Sequence, residues 1–146
     1  MLEKVILLVE DNVSDVLLTK RALAKNRISN ELVVVEDGQE ALDYLFCSGA
    51  HEGRDPTHMP TLILLDLKLP KVDGLEVLRR IRTDERTKRV PIVVLTSSKQ
   101  HEELARSYDL GANSFVSKPV DFTQFVEAVK QLGLYWLVLN EPPPQE

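Results

Sequence analysis

Carboxylates, hydroxyls and a lysine stand directly after short apolar runs, and that set of groups can handle a phosphoryl group. Glu10 and Asp11 follow Val5-Ile6-Leu7-Leu8-Val9, and Asp66 follows Leu62-Ile63-Leu64-Leu65. Thr96 and Ser97 follow Ile92-Val93-Val94-Leu95, and Lys118-Pro119 comes just after Ser114-Phe115-Val116. Carboxylates that converge on one rim repel each other, so they hold protons more tightly or a cation neutralises them. Hard oxygen donors with no nearby His or Cys favour Mg2+ over zinc. A divalent ion and an ammonium offset charge on phosphoryl oxygens, and a hydroxyl adds a hydrogen bond. Taken singly, each residue reads as a solvated cap on a strand; together they read as a site.

Such a rim needs elements that end in one place. The apolar runs at 5–9, 62–65 and 92–95, with Leu32-Val33-Val34-Val35, are continuous rather than alternating. Continuous runs of this length predict strands buried on both faces, as in parallel sheets. Helical patterns lie between them. Val16, Leu17, Leu18, Ala22 and Leu23 mark about 14–26, and Ala41, Leu42, Leu45 and Phe46 mark about 38–47. Leu75, Leu78 and Ile81 mark about 74–83. The segment 99–109 is weakly apolar and stops at Gly111, and a last helix follows its N-cap Asp121 with Phe122, Phe125, Val126, Val129 and Leu132 on one face. The order β-α, five times over, predicts an α/β fold with a doubly wound sheet and right-handed crossovers. Ligands of such sheets bind outside the carboxyl ends of the strands, where the polar set lies. Residues 48–60 form a longer connection than usual, and the Pro-rich tail 141–146 cannot continue a helix.

Composition agrees with one soluble domain. The chain has 146 residues, 43% hydrophobic and 28% charged, which disfavours disorder and disulfide-framework peptides. Its net charge of −5 argues against nucleic acid as a partner. No apolar run reaches the ~20 residues of a membrane span, and the first residues do not read as a signal peptide. A single cysteine, Cys47, suits a reducing compartment, so a cytoplasmic location is expected. Cys47, His51 and His58 read as surface residues on a flexible loop rather than a metal site. The basic stretch Arg79, Arg80, Arg82, Arg86, Lys88 and Arg89 reads as a solvated helix face.

Over about residues 3–139 the chain resembles the receiver domain of two-component response regulators. The resemblance rests on Glu10-Asp11-Asn12, Leu65-Asp66-Leu67-Lys68-Leu69-Pro70, Asp73-Gly74, Thr96-Ser97, Gly111-Ala112 and Lys118-Pro119. The 48–60 loop, the Leu-Lys-Leu-Pro after Asp66, and the ending Tyr135-Trp136-Leu137-Val138-Leu139-Asn140 make it similar to single-domain regulators associated with bacterial phytochrome-type histidine kinases. The resemblance implies a flavodoxin-like five-stranded parallel sheet of order 2-1-3-4-5, with a receiver domain over 1–140 and no output domain. It implies a sensor histidine kinase as partner and Asp66 as phosphoacceptor. Asp11, Asp66 and the backbone carbonyl of Lys68 would hold Mg2+, with Glu10 acting mainly through water. Thr96, Ser97 and Lys118 would bind the phosphoryl group, the Lys118–Pro119 bond would be cis, and Thr96 with Phe115 would form the switch. Such a protein is not an enzyme beyond its own phosphorylation and dephosphorylation.

Some positions depart from the commoner pattern. Glu10 replaces an aspartate, and Phe115 lacks a tyrosine hydroxyl, so its burial carries no hydrogen-bond penalty. Lys68 and Ser98 occupy the positions that tune hydrolysis in this family. A long cation at 68 can screen the acyl phosphate from water, so slow autodephosphorylation is expected. Phosphate release within seconds, unchanged by Lys68→Ala, would count against this.

Residues 134–139 are apolar nearly all round, more than one core-facing stripe needs. Tyr135, Trp136, Leu137 and Leu139 therefore predict a homodimer surface formed with the fifth strand. Two other functions compete. An aspartate-nucleophile phosphatase needs a second aspartate two residues on, where Lys68 stands. A phosphorelay intermediate would pass its phosphoryl group onward.

Overall fold

A computed structural model of the chain describes residues 4–27, 30–96, 108–112, 114–117, 127, 130 and 131; at 95, 96 and 114–117 it describes the backbone alone. The elements are β1 (Val5–Val9), α1 (Val13–Lys25), β2 (Glu31–Val35), α2 (Gly38–Phe46), β3 (Leu62–Leu65), α3 (Gly74–Thr83), β4 (Ile92–Thr96) and β5 (Ser114–Ser117). Most of the helices expected over 99–109 and after Asp121 lies outside the described residues. So do Ser97, Ser98, Lys118, Pro119, Tyr135, Trp136, Leu137 and Leu139.

The strands form one parallel sheet of order β2-β1-β3-β4-β5, as expected. β1 and β3 are buried at every residue, which is why their sequences do not alternate. Neighbouring residues of a strand face opposite sides of the sheet. Leu7, Val9, Ile63, Leu65, Ile92 and Val94 join the layer that holds α2 and α3. Ile6, Leu8, Leu62, Leu64 and Val93 join the layer of α1. The chain steps from β1 to β2 in one direction, then from β2 to β3 to β4 in the other. Right-handed crossovers therefore put α1 on one face and α2 with α3 on the other.

Helix faces refine the sequence reading. In α3 the buried stripe is Gly74, Val77, Leu78 and Ile81, with Leu75 only partly covered. Each large apolar side chain buried this way contributes about 1.5–3 kcal/mol. In α1 the buried residues are Thr19, Ala22 and Leu23, whereas Leu17 and Val13 are exposed. Among the described residues no helix is long and apolar enough to cross a membrane.

Two expectations are corrected. Arg82 is not a solvated face residue: its Nε donates to the Gly111 carbonyl at 2.8 Å, and its Nη1 to those of Lys88 and Val90 at 3.0 and 2.7 Å. Its guanidinium ties the end of α3 to the entrances of β4 and β5, and burial lowers its pKa. The other basic residues do fit the solvated reading, with Arg79 and Arg80 paired to Glu76 and Arg86 to Asp84. Those two arginines hold the Glu76 carboxyl down to about 2. Arg82→Met keeps the aliphatic bulk but removes the donors; we expect a loss of about 2 kcal/mol, read from the urea midpoint.

The 48–60 connection is also packed rather than loose. Gly49–His51 makes a 3-10 turn. The Arg54 guanidinium lies 4.3 Å over the Tyr44 ring, and Arg54 donates to the carbonyls of Tyr44 and His58. The His51 ring meets Tyr44 edge-on, with its Nε2 3.3 Å from a Glu40 carboxylate oxygen. Burial raises the Tyr44 pKa. A long excursion is tolerated here because a cation and an aromatic ring seat it on α2.

Candidate functional site

The site is assembled by strand register. Val9 pairs with Leu65, so the next residues, Glu10 and Asp66, leave the sheet side by side. Backbone bonds hold both exits: Glu10 N donates to Val35 O at 3.0 Å, and Asp66 N to Val9 O at 3.1 Å. Glu10 is 2% exposed and Asp66 7%, while Asp11 is exposed. The two covered carboxylates each receive a backbone N–H from two residues on. Asn12 N donates to Glu10 Oε2 at 3.3 Å, and Lys68 N to Asp66 Oδ1 at 3.0 Å. These bonds fix the carboxylate orientations and offset part of the cost of burial.

One carboxylate oxygen from each of Glu10, Asp11 and Asp66 lies within 4.8 Å of the others. Two donors on opposite sides of one ion stand about 4–5 Å apart, so this spacing suits a shared cation. The donors are all hard oxygens, which fits Mg2+ or Mn2+ and not a thiolate- or imidazole-selected metal. Cys47, His51 and His58 form no such group; among the described residues the acidic cluster is the only one.

The chain after Asp66 is held from several sides. Leu67 is buried and Leu69 packs on the same layer, so Lys68 between them is turned to solvent. Gly74 N donates to Leu67 O at 2.9 Å, and Asp73 caps α3 by accepting from Glu76 N at 3.0 Å. A Cβ on Gly74 would stand 2.4 Å from Asp66 O and 2.5 Å from Leu67 Cα. Only a glycine lets α3 begin so close to the acidic strand end.

On the other side of β3, Leu65 pairs with Val94, which places the Thr96 backbone just beyond the level of Asp66. Thr96 pairs with Ser117, and Phe115 with Val94, so Lys118 is the residue that follows the partner of Thr96. The backbone thus brings the ends of β1, β3, β4 and β5 to one rim. The sequence reading passed over Asp37 and Gly38, which repeat at α2 the Asp-Gly pair that opens α3 at 73–74. That repeated dipeptide before an apolar helical period was the available signal.

A parallel sheet of this order, with an acidic cluster spaced for a shared cation at its carboxyl rim, defines a class. The chain belongs to the response regulator receiver domain family, whose model matches residues 6–130. It is 41% identical over 139 residues to the probable methanogenesis regulatory protein FilR2 of Methanothrix harundinacea, covering 95% of this chain and 87% of that one. It is 39% identical over 134 residues to response regulator Rcp1 of Synechocystis sp., covering 92% and 89%. The Mn2+-bound structure of Rcp1 superposes with a TM-score of 0.87 at 38% identity, covering 97% of this chain and 99% of that one. The phosphorylated cyanobacterial phytochrome response regulator RcpA superposes with a TM-score of 0.89 at 40% identity, covering 98% and 100%.

Removal of one clustered carboxylate should be measurable directly. Asp11→Asn leaves the buried pair in place and takes away the exposed charge. We expect Mn2+ binding, followed by electron paramagnetic resonance, to weaken by about tenfold or more. Unchanged binding would place the ion elsewhere.

Proposed function

We propose that this chain is a response regulator whose Asp66 accepts a phosphoryl group from a histidine kinase, and that it acts through its own receiver surface. The observation that carries the proposal is the convergence of Glu10, Asp11 and Asp66 oxygens within 4.8 Å at the end of the sheet. Glu10, Asp11 and Asp66 would hold Mg2+, with the Lys68 carbonyl as a further ligand. When bound, the ion offsets negative charge on the phosphoryl oxygens.

An oxygen of Asp66 forms a bond to phosphorus while the bond from phosphorus to the kinase histidine nitrogen breaks, leaving an acyl phosphate and the imidazole. The Lys68 N–H holds the carboxylate in one rotation for this attack. Thr96, Ser97 and Lys118 bind the phosphoryl oxygens, and Phe115 follows the inward movement of Thr96. Lys68 is exposed, and in this reading its ammonium screens the product from water.

The relatives named above support the reading: one is a phosphorylated phytochrome regulator and one binds Mn2+. A phytochrome-type kinase is accordingly the proposed partner, and the cytoplasm the proposed location. Output through a homodimer of β5 and the last helix is part of the proposal; β5 lies at the edge of the sheet, where a second copy could meet it. Intact-mass spectrometry after incubation with acetyl phosphate tests the core of this account. We expect one phosphoryl group gained with Mg2+ and none with EDTA; equal gain in EDTA would sink it.

A further inference from the structure

The segment between Asp66 and α3 is gripped by a second helix that carries none of the three clustered carboxylates. Gly38 N, at the start of α2, donates to Pro70 O at 3.3 Å. A Cβ on Gly38 would lie 1.8 Å from Val72 O, so the segment rests directly on the helix backbone. Lys71, between these contacts, has a left-handed backbone with φ 68, unfavourable for a side-chain-bearing residue. Its Nζ lies 3.4 Å from Asp37 Oδ2. The other Asp37 oxygen accepts from Glu40 N at 2.7 Å, and Glu40 Oε1 accepts from Glu36 N at 3.0 Å. The Asp37 and Glu40 side chains thus each accept a backbone N–H across the turn, with Glu40 reaching one residue past the N-cap rather than to it as in a capping box.

We infer that Asp37 is a positioning residue for the metal and phosphoryl site, acting through Gly38 and the 70–72 segment on Asp66 and Lys68. The inference rests on the function proposed above. Of the two Asp37 oxygens, the capping one carries the effect. Lys71 is 69% exposed along its side chain, and an exposed pair contributes less than an N-cap bond. Loss of the cap loosens the first turn of α2, and with it the Gly38 backbone on which Pro70 and Val72 are seated. Lys68, two residues before Pro70, supplies the N–H that orients Asp66.

The test compares Asp37→Ala with Asp37→Asn, which keeps a capping oxygen and loses the charge. Both are measured by Mn2+ titration at a temperature where circular dichroism shows them fully folded. A purely structural role would lower the thermal midpoint and leave the affinity of the folded protein unchanged. We expect Asp37→Ala to weaken Mn2+ binding about 3–10-fold, with a parallel loss of acetyl phosphate uptake at subsaturating Mg2+. Asp37→Asn should stay within about twofold of the unaltered protein. If Asp37→Ala does not fold, Asp37→Gly removes both oxygens and keeps a backbone suited to an N-cap. Unaltered affinity in the folded Ala or Gly variant, while the parent protein binds Mn2+, overturns this inference alone. A parent protein that binds no Mn2+ overturns the reading of the site and this inference with it.

Discussion

Asp66→Asn should leave a folded protein that takes up no measurable phosphoryl group. The amide keeps the shape of the carboxylate and can still accept the Lys68 N–H, now 3.0 Å from Oδ1. It cannot act as the nucleophile, and it removes one negative charge from the three-carboxylate cluster. Loss of a nucleophile of this kind lowers the rate by on the order of 10³-fold or more. Stability should not fall, because repulsion from Glu10 and Asp11 is relieved. Intact mass after acetyl phosphate and the thermal midpoint, taken on one sample, read both effects. Uptake at the unaltered rate would assign the chemistry to another residue.

Gly74→Ala should destabilise the protein by about 3 kcal/mol, because an added Cβ meets backbone and not a flexible side chain. The distances are 2.4 Å to Asp66 O, 2.5 Å to Leu67 Cα and 2.9 Å to Leu67 O. Either α3 or the end of β3 must move. Gly74 shows no left-handed backbone, so the effect is steric and not conformational. Since the atoms struck belong to Asp66 and its neighbour, phosphoryl uptake should fall as well. Gly53→Ala is the matched control: its Cβ meets nothing within 4 Å, and its effect should lie within about 0.5 kcal/mol. Equal urea midpoints for the two variants would show that α3 does not depend on this close approach.

Much of this architecture was legible from residue order. Continuous apolar runs such as Leu62-Ile63-Leu64-Leu65, alternating with helical patterns, suit strands buried on both faces of a parallel sheet, and β3 lies in its interior. Glu10, Asp11 and Asp66 were legible for the same reason. A polar residue directly after such a run must sit on the carboxyl rim, and parallel strands share that rim. Other features depend on tertiary contact. Arg82 belongs to the same basic run as Arg79 and Arg80, yet it faces the carbonyls of Lys88, Val90 and Gly111. Glu76, three and four residues before Arg79 and Arg80, holds those two within α3, whereas the partners of Arg82 lie on loops brought close by the sheet. The 48–60 segment looked loose because its turn residues are polar, whereas its order comes from Arg54 stacking on Tyr44. The Asp37 turn does not stand out in the sequence because it matters through the contacts of Gly38 with Pro70 and Val72, more than thirty residues away in the chain.

On the proposed function, one aspartate at the end of β3 becomes an acyl phosphate. Reductive trapping with borohydride converts an aspartyl phosphate to homoserine, and peptide mapping then locates the altered residue. After acetyl phosphate treatment we expect homoserine at position 66 in the presence of Mg2+, and at no position in EDTA. Homoserine at Asp11 or at another carboxylate, or its absence from a folded protein saturated with Mg2+ and acetyl phosphate, would contradict it.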